Sequence, residues 1–315
     1  MMRQRASARK RHAMPDDDQG LETIRDYVRW GASRFGESGL FFGHGTDNAL
    51  DEALALVLHA LHLDYSLPEN YLDTRLTSGE RRAVLALFQR RVEDRVPAAY
   101  LTHKARFAGL EFFVDENVLV PRSPIAELIE HGFSPWLDAG NVEAVLDLCT
   151  GSGCIAIGCA HAFPDARVDA VDISPAALEV ARANVDHFHL QDRVDVIRSD
   201  LFEALDGRSY NLIVSNPPYV GEAEMDALPP EYGWEPELGL AAGADGLDIV
   251  SRILAQGSRF LTPDGVMVIE VGSAAGALMA RYPEVPFLWL EFERGGEGVF
   301  LLTADQLDEY QSAFD

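Results

Sequence analysis

The sequence predicts an α/β protein in which a mostly parallel, doubly wound sheet ends in an antiparallel hairpin and follows a small N-terminal helical domain. Three observations lead there. From residue 142 apolar strand-like runs alternate with helical periodicity, while residues 20–105 carry helical periodicity alone. The glycine-rich turn Gly151-Ser152-Gly153 sits between the first strand-like run and the helix after it.

Within the helical region, Leu50, Ala53, Leu54, Val57, Leu58 and Leu61 recur at helical spacing between Asp47 and Leu63, with Thr46 or Asp47 expected as N-cap. A second helix is expected from Ser78 to Val96, stopped by Pro97, with a proline-containing connection from Tyr65 to Leu76. His44, flanked by Gly43 and Gly45, is read as a turn residue with a satisfied hydrogen bond rather than a substrate contact. The period changes at residue 106. Phe107, Leu110, Phe112, Val114, Val118 and Val120 flank Asp115-Glu116-Asn117, which predicts a hairpin linker over 106–123. Ser123 is placed to cap a helix beginning at Pro124.

Further on, strands are expected at Val142–Leu148, Arg167–Val171, Val194–Ile197, Leu212–Val214 and Val266–Val271. Helices are expected at Cys154–Phe163, Pro175–His187 and Leu247–Phe260, which makes the sheet parallel and covered on both faces. Phe287–Phe292 and Val299–Leu302 flank Glu293 to Gly298 and read as the closing hairpin, the sixth and seventh strands. The expected division is a disordered basic tail at 1–19, the helical domain at 20–105, the linker at 106–123, an α/β domain at 124–306 and a tail at 307–315.

Bulk properties exclude several classes. A chain of 315 residues that is 47% hydrophobic suits two globular domains. No apolar run reaches the roughly 20 residues of a membrane span. Arg3, Arg5, Arg9, Lys10 and Arg11 are not followed by the apolar stretch of a secretory signal, and either Met1 or Met14 can serve as the start. Cys149, Cys154 and Cys159, three in number at five-residue spacing, fit neither a disulfide framework nor a zinc site. They read as core residues of a reduced, cytoplasmic protein with no metal. The net charge of −25, with Lys10 and Lys104 the only lysines, argues against sequence-specific nucleic-acid binding, which relies on cations against phosphate. The acidic surface is read as a solvated face, and it could also attract a basic protein.

Two segments carry chemistry. The first strand runs into Asp147-Leu148-Cys149-Thr150-Gly151-Ser152-Gly153, and Asp172, at the end of the second strand, follows Gly153 by 19 residues. Glycines let a ligand approach the backbone, and an acid at that position can accept from both hydroxyls of a ribose. No third glycine completes the pyrophosphate-binding pattern, and Asp147 beside the loop favours a cation. S-adenosylmethionine, which has an ammonium and a sulfonium but no phosphate, suits the loop better than NAD. Asp200 is expected to accept from the adenine amine or to cap a helix, with Leu201 and Phe202 as an apolar wall.

After the fourth strand comes Asn216-Pro217-Pro218-Tyr219. Two prolines stiffen the chain, so the Pro217 carbonyl and the Asn216 side-chain carbonyl can hold the protons of a planar –NH2 group, on which the Tyr219 ring stacks. An amide nitrogen is a poor nucleophile because its lone pair is delocalised, and two aimed acceptors push density back onto it. The four residues therefore suit methyl transfer to a conjugated amino nitrogen, of protein or of nucleic acid. A non-catalytic module would be expected to have lost Asn216 or the glycine loop, and both are intact.

With these motifs the chain, from about residue 21 to 303, resembles the HemK-type protein glutamine methyltransferases. Val120-Pro121-Arg122-Ser123-Pro124-Ile125, Gly43-His44-Gly45-Thr46, Gly243 to Asp248 and Gly295 to Phe300 are similar to the PrmB branch, which acts on ribosomal large-subunit protein three, rather than to the release-factor branch. Trp234 departs from that pattern, where His is expected. The resemblance implies a Rossmann-like class I methyltransferase fold with a seven-stranded sheet, S-adenosylmethionine as cofactor and a substrate-docking role for 20–105. It further implies that Cys149 to Gly153, Asp172, Leu201 and Asn216 line the cofactor pocket, and that Asn216 to Tyr219 meet the substrate amide.

Overall fold

The computed structural model describes residues 20–314, so the expected basic tail at 1–19 lies outside the described residues. The chain forms two compact units that divide between Thr102 and His103.

In the first unit α1 (Ile24–Glu37) opens on a capping box, in which Thr23 accepts from Asp26 N and the Asp26 side chain reaches back to the Thr23 backbone. Its Gly31 lies under the Phe88 ring of α3 (Ser78–Glu93), where a Cβ would come within 2.5 Å of Phe88. Between them α2 (Ala49–Ala60) is capped by Asn48, not by Thr46 or Asp47. Asn48 accepts from the N–H groups of Leu50 and Asp51, whereas the Thr46 hydroxyl donates to Glu52. Glu52 and Arg91, each 1% exposed, pair at 2.5 Å in the interior, and Arg91 also donates to the Phe41 carbonyl. A 3-10 turn, Glu69–Asp73, interrupts the connection before α3. Thr77 and Glu80 form the capping box of α3, which ends at Glu93. Pro97 then precedes α4 (Ala98–Thr102).

The second unit begins with an antiparallel hairpin, β1 (Lys104–Phe107) and β2 (Leu110–Phe113), paired Lys104 to Phe113 through Phe107 to Leu110. Its turn is Ala108-Gly109, with φ of +46° and +75°, and not Asp115-Glu116-Asn117 as expected from the sequence. Two residues of positive φ match the twist of the flanking strands, which a longer acidic loop does not need to do. Asp115 instead makes a local turn, accepting from Asn117 N through its side chain and from Val118 N through its carbonyl.

Beyond α5 (Ile125–Glu130), strands and helices alternate: β3 (Ala144–Leu148), α6 (Cys154–Ala162), β4 (Arg167–Asp172), α7 (Pro175–His187), β5 (Val194–Arg198) and β6 (Tyr210–Ser215). There follow the short α8 (Glu222–Met225), then α9 (Asp248–Gly257), β7 (Leu261–Glu270), α10 (Ala275–Arg281), β8 (Leu288–Trp289) and β9 (Val299–Thr303). Among the described residues the main sheet has seven strands in the order β5-β4-β3-β6-β7-β9-β8, with β9 antiparallel to both its neighbours. Two apolar layers cover it. One centres on α6 with Val145, Val168 and Val214, and the other on α9 with Leu146, Ile213 and Ile269. The expected tail at 307–315 is instead packed through residue 314. The helices α11 (Ala304–Glu309) and α12 (Gln311–Phe314) bury Leu307 and Phe314, whose ring meets Tyr282 edge-on.

Asn184 on α7 ties the first hairpin to the glycine loop. It is fully buried, accepts from Phe113 N at 2.8 Å, and donates at 2.9 Å to the carbonyls of Phe113 and Ser152. Asn184→Ala would leave the buried Ser152 carbonyl and the part-buried N–H and carbonyl of Phe113 without this partner, and is expected to lower the unfolding free energy by about 2 kcal/mol, read from urea denaturation. Asn184→Asp keeps the acceptor but sets a buried carboxylate oxygen against two carbonyls, and should be no more stable than Asn184→Ala.

Candidate active site

Strand order reverses between β3 and β6, so loops leaving their C-terminal ends diverge and leave a crevice. Leu148 pairs with Ser215 in the parallel register, and the Ser215 hydroxyl donates to the Leu148 carbonyl at 2.7 Å. Cys149 and Asn216, one residue past that pair, therefore enter the crevice side by side. A cavity of about 430 Å³ lies there.

The loop after β3 keeps its shape through backbone conformation. Cys149, Gly151 and Gly153 all have positive φ, at +59°, +55° and +80°. Thr150 N bonds the Val171 carbonyl, and Gly153 N bonds the Thr150 carbonyl. Asp172 lines the cavity and is oriented by two backbone donors, Gly151 N on one oxygen and Ser174 N on the other, each at 2.9 Å. A carboxylate offers about four lone-pair sites, so two remain for a ligand's hydroxyls. Burial raises the Asp172 pKa, and the donors from Ser174 and Gly151 pull it back. Cys149, Thr150, Gly151, Ser152, Asp200, Leu201, Asn216, Pro218 and Tyr219 also line the cavity. Ile173, 45% exposed beside Asp172, adds an apolar wall that a single aliphatic residue does not advertise in the sequence.

Five expectations are corrected. Asp147 does not line the cavity; it is fully buried under the loop, where one oxygen accepts from the Thr150 hydroxyl at 2.6 Å and from Ala156 N at 3.0 Å. Its carboxylate fastens the loop to the first turn of α6, and its other oxygen has no partner among the described residues. Gly153 does not face the cavity either. It adjoins Ala181 of α7, where a Cβ would come within 3.3 Å, so its smallness serves helix packing. Pro217 is buried behind the wall formed by its neighbours. No helix follows Asp200, which pairs with Arg252 of α9 at 2.9 Å, and Phe202 stacks on Phe260 in the core at 4.6 Å rather than walling the cavity.

Asn216 is half-buried, lines the cavity and makes no hydrogen bond to the described residues, so its amide is available to a ligand. The segment before α5 is held by charge. Arg122 forms a two-pronged pair with buried Glu235, Nη1 to Oε1 at 2.5 Å and Nη2 to Oε2 at 2.7 Å. Glu235 also accepts from Val120 N, and the Arg122 guanidinium lies 5.3 Å over the Tyr232 ring. This pair joins two walls of the cavity, residues 117–123 and 232–241. Glu270, which closes β7, is 6% exposed and also lines the cavity. An acid ending the apolar run Val266-Met267-Val268-Ile269 was the available signal in the sequence.

The sheet order, with its one reversed strand and a cavity at the β3–β6 crevice, defines a class I methyltransferase fold. The model for the methyltransferase small domain matches residues 133–228. A ribosomal protein uL3 glutamine methyltransferase of Neisseria gonorrhoeae is 53% identical over 290 residues, 92% of this chain and 97% of that one. The protein of the same name in Xanthomonas campestris is 55% identical over 287 residues, 91% and 93% of the two chains. The chain belongs to the family of ribosomal protein uL3 glutamine methyltransferases. A solved 16S rRNA methyltransferase of T. thermophilus is 20% identical, with a TM-score of 0.45 over 64% of this chain and 49% of that one.

Burial pushes the Asp147 carboxyl up to about 7, against partial relief from Thr150 and Ala156 N. The folded protein therefore binds this proton where the unfolded chain releases it. The contribution of this group to stability falls as pH rises from 3.8 to about 7 and is level above. Asp147→Asn has no such slope. By calorimetry across that range, its melting temperature minus that of wild type should rise to about pH 7 and then hold constant. A flat difference would mean that the carboxyl is ionised throughout.

Proposed function

We propose that the protein transfers the methyl group of S-adenosylmethionine to the side-chain amide nitrogen of a glutamine in ribosomal large-subunit protein three, uL3. The observation that carries this reading is the placement of Asn216, its amide unpartnered, and Tyr219 in the same cavity as the loop 149–152 and Asp172. The names of relatives at 53% and 55% identity support the substrate.

The cavity fits the cofactor. Its walls carry Asp172, Asp200, Glu224 and Glu270 against two arginines, and those are paired, Arg122 with Glu235 and Arg252 with Asp200. A pyrophosphate would meet no unpaired cation on these walls, whereas a cationic ligand meets a favourable field. Asp172 would hold the ribose hydroxyls, Ile173 and Leu201 the apolar faces, and the open backbone at Gly151 the amino-acid portion. When bound, S-adenosylmethionine supplies a methyl group made electrophilic by its positive sulfur.

The remaining work falls to the chain. Asn216 Oδ1 accepts an N–H of the substrate amide and orients the nitrogen lone pair. Pro217 and Pro218 stiffen the backbone so that this acceptor does not reorient as positive charge develops on nitrogen. The Tyr219 ring supports the planar amide. Closeness of the two reactants can account for roughly 7–11 kcal/mol of the barrier without a strong base, because the nitrogen turns acidic as its bond to the methyl forms and the methyl–sulfur bond breaks, and it releases its N–H proton to water. Residues 20–105 dock the substrate protein in this reading, and the reaction is cytoplasmic. Among the described residues no helix is long and apolar enough to cross a membrane.

Labelled methyl transfer to purified uL3, a release factor and DNA in parallel tests the assignment. Label is expected on a uL3 glutamine alone, and Asn216→Ala should lower kcat by roughly 10²–10³-fold with the fold retained. Equal labelling of the release factor or of DNA would overturn the substrate.

A further inference from the structure

Tyr219 is gripped from three sides by residues outside its own tetrapeptide. Its hydroxyl donates to Glu270 Oε1 at 3.2 Å, and the other Glu270 oxygen accepts from the Ser123 hydroxyl at 2.5 Å. Ser123 Oγ in turn accepts from Ile125 N at the start of α5. Against the ring lies Gly272, with φ of +41°; a Cβ there would come within 2.6 Å of Cε2 and 2.8 Å of Cζ. Against the Tyr219 carbonyl lies Gly246, with φ of +79°, where a Cβ would come within 2.2 Å of the oxygen. Gly272 is itself backed by Gly298, where a Cβ would meet the Gly272 backbone at 2.4 Å.

A tyrosine that only filled space would need none of these contacts. Here Gly272 leaves the ring one slot, Gly246 gives room to the Tyr219 backbone carbonyl, and the Glu270 carboxylate sets the depth of the ring in that slot. Burial raises the Tyr219 pKa, so the hydroxyl remains a donor. Burial also raises that of Glu270, against hydrogen bonds from Ser123 and Tyr219 that favour its ionised form.

We propose that Glu270 is a positioning residue: through the Tyr219 hydroxyl it fixes the ring face that supports the substrate amide, with Gly272 bounding the ring and Gly246 accommodating the backbone carbonyl behind it. This rests on the methyl-transfer reading for the identity of the amide, but the slot itself does not. Without the carboxylate the ring slides or tilts, and the amide is bound but misaligned. Rate should then fall more than affinity, because misplacement weakens the transition state rather than the encounter.

The test uses the full chain as wild type, Glu270→Leu, which keeps the bulk and removes the acceptor, Tyr219→Phe and the double variant. It measures kcat and KM for uL3 and the Kd for S-adenosylmethionine. Either single variant should lower kcat by about tenfold or more, with KM for uL3 within about twofold of wild type in both and Kd for S-adenosylmethionine within about twofold in Tyr219→Phe. The double variant should be no worse than the worse single one, because both break the same contact. Multiplying losses, unchanged kcat in Glu270→Leu, or a loss confined to cofactor affinity would overturn the proposal. A second readout needs no substrate. With 3-fluorotyrosine in place of Tyr219, the fluorine resonance should be single and sharp in wild type, and shifted or broadened in Glu270→Leu. An identical resonance in the two proteins overturns the slot. If wild type leaves uL3 unlabelled while the resonance responds as expected, the substrate assignment fails and the slot stands.

Discussion

The parallel pairing of β3 with β6, Leu148 opposite Ser215, is the constraint on which the site depends. Side-by-side strands whose neighbours lie in opposite directions open a crevice at their C-terminal ends. The residue after each strand enters that crevice at a height set by register alone. A shift of one position would exchange the faces of every side chain on β6 and carry Asn216 away from the loop. The Ser215 hydroxyl on the Leu148 carbonyl holds the pair at the point where the ladder ends and fraying would begin. Both loops leaving these strands are rigid for local reasons, positive φ after β3 and two prolines after β6.

Around this crevice the structure uses buried polar and charged groups chiefly to join segments. Asp147 joins the loop to α6, Asn184 joins the hairpin to the loop, Arg122 and Glu235 join two walls, and Glu270 joins Ser123 to Tyr219. Except for one oxygen of Asp147, these groups are matched by donors or acceptors from a separate segment, which is the condition under which buried polar groups stabilise a fold. Cavity charge has a second effect. With both wall arginines paired, the field facing a ligand is set by carboxylates, in keeping with the net charge of −25.

Periodicity locates most elements, because burial on one face or both leaves a pattern within a single stretch of chain. It fails where the signal is a turn. Ala108-Gly109 has little of the usual turn composition, while Asp115-Glu116-Asn117 has much of it, so composition points to the wrong one. It also makes 307–315 look like a tail, since one Leu and one Phe in a polar stretch are too few to show a buried face.

From sequence alone came the parallel sheet and its reversed strand, the loop at 147–153, Asp172, and the tetrapeptide Asn216 to Tyr219. These are local: each is a short run whose residue types constrain the backbone or supply the chemistry directly. Tertiary structure decided which of them face the cavity. It turned Asp147, Gly153 and Pro217 away from the cavity and added Ile173 and Glu270 to its walls. It also chose the partners of Arg122 and Tyr219, more than 50 residues away in each case. Orientation and long-range pairing are fixed by how whole elements pack, and the adjacent residues carry no record of that packing.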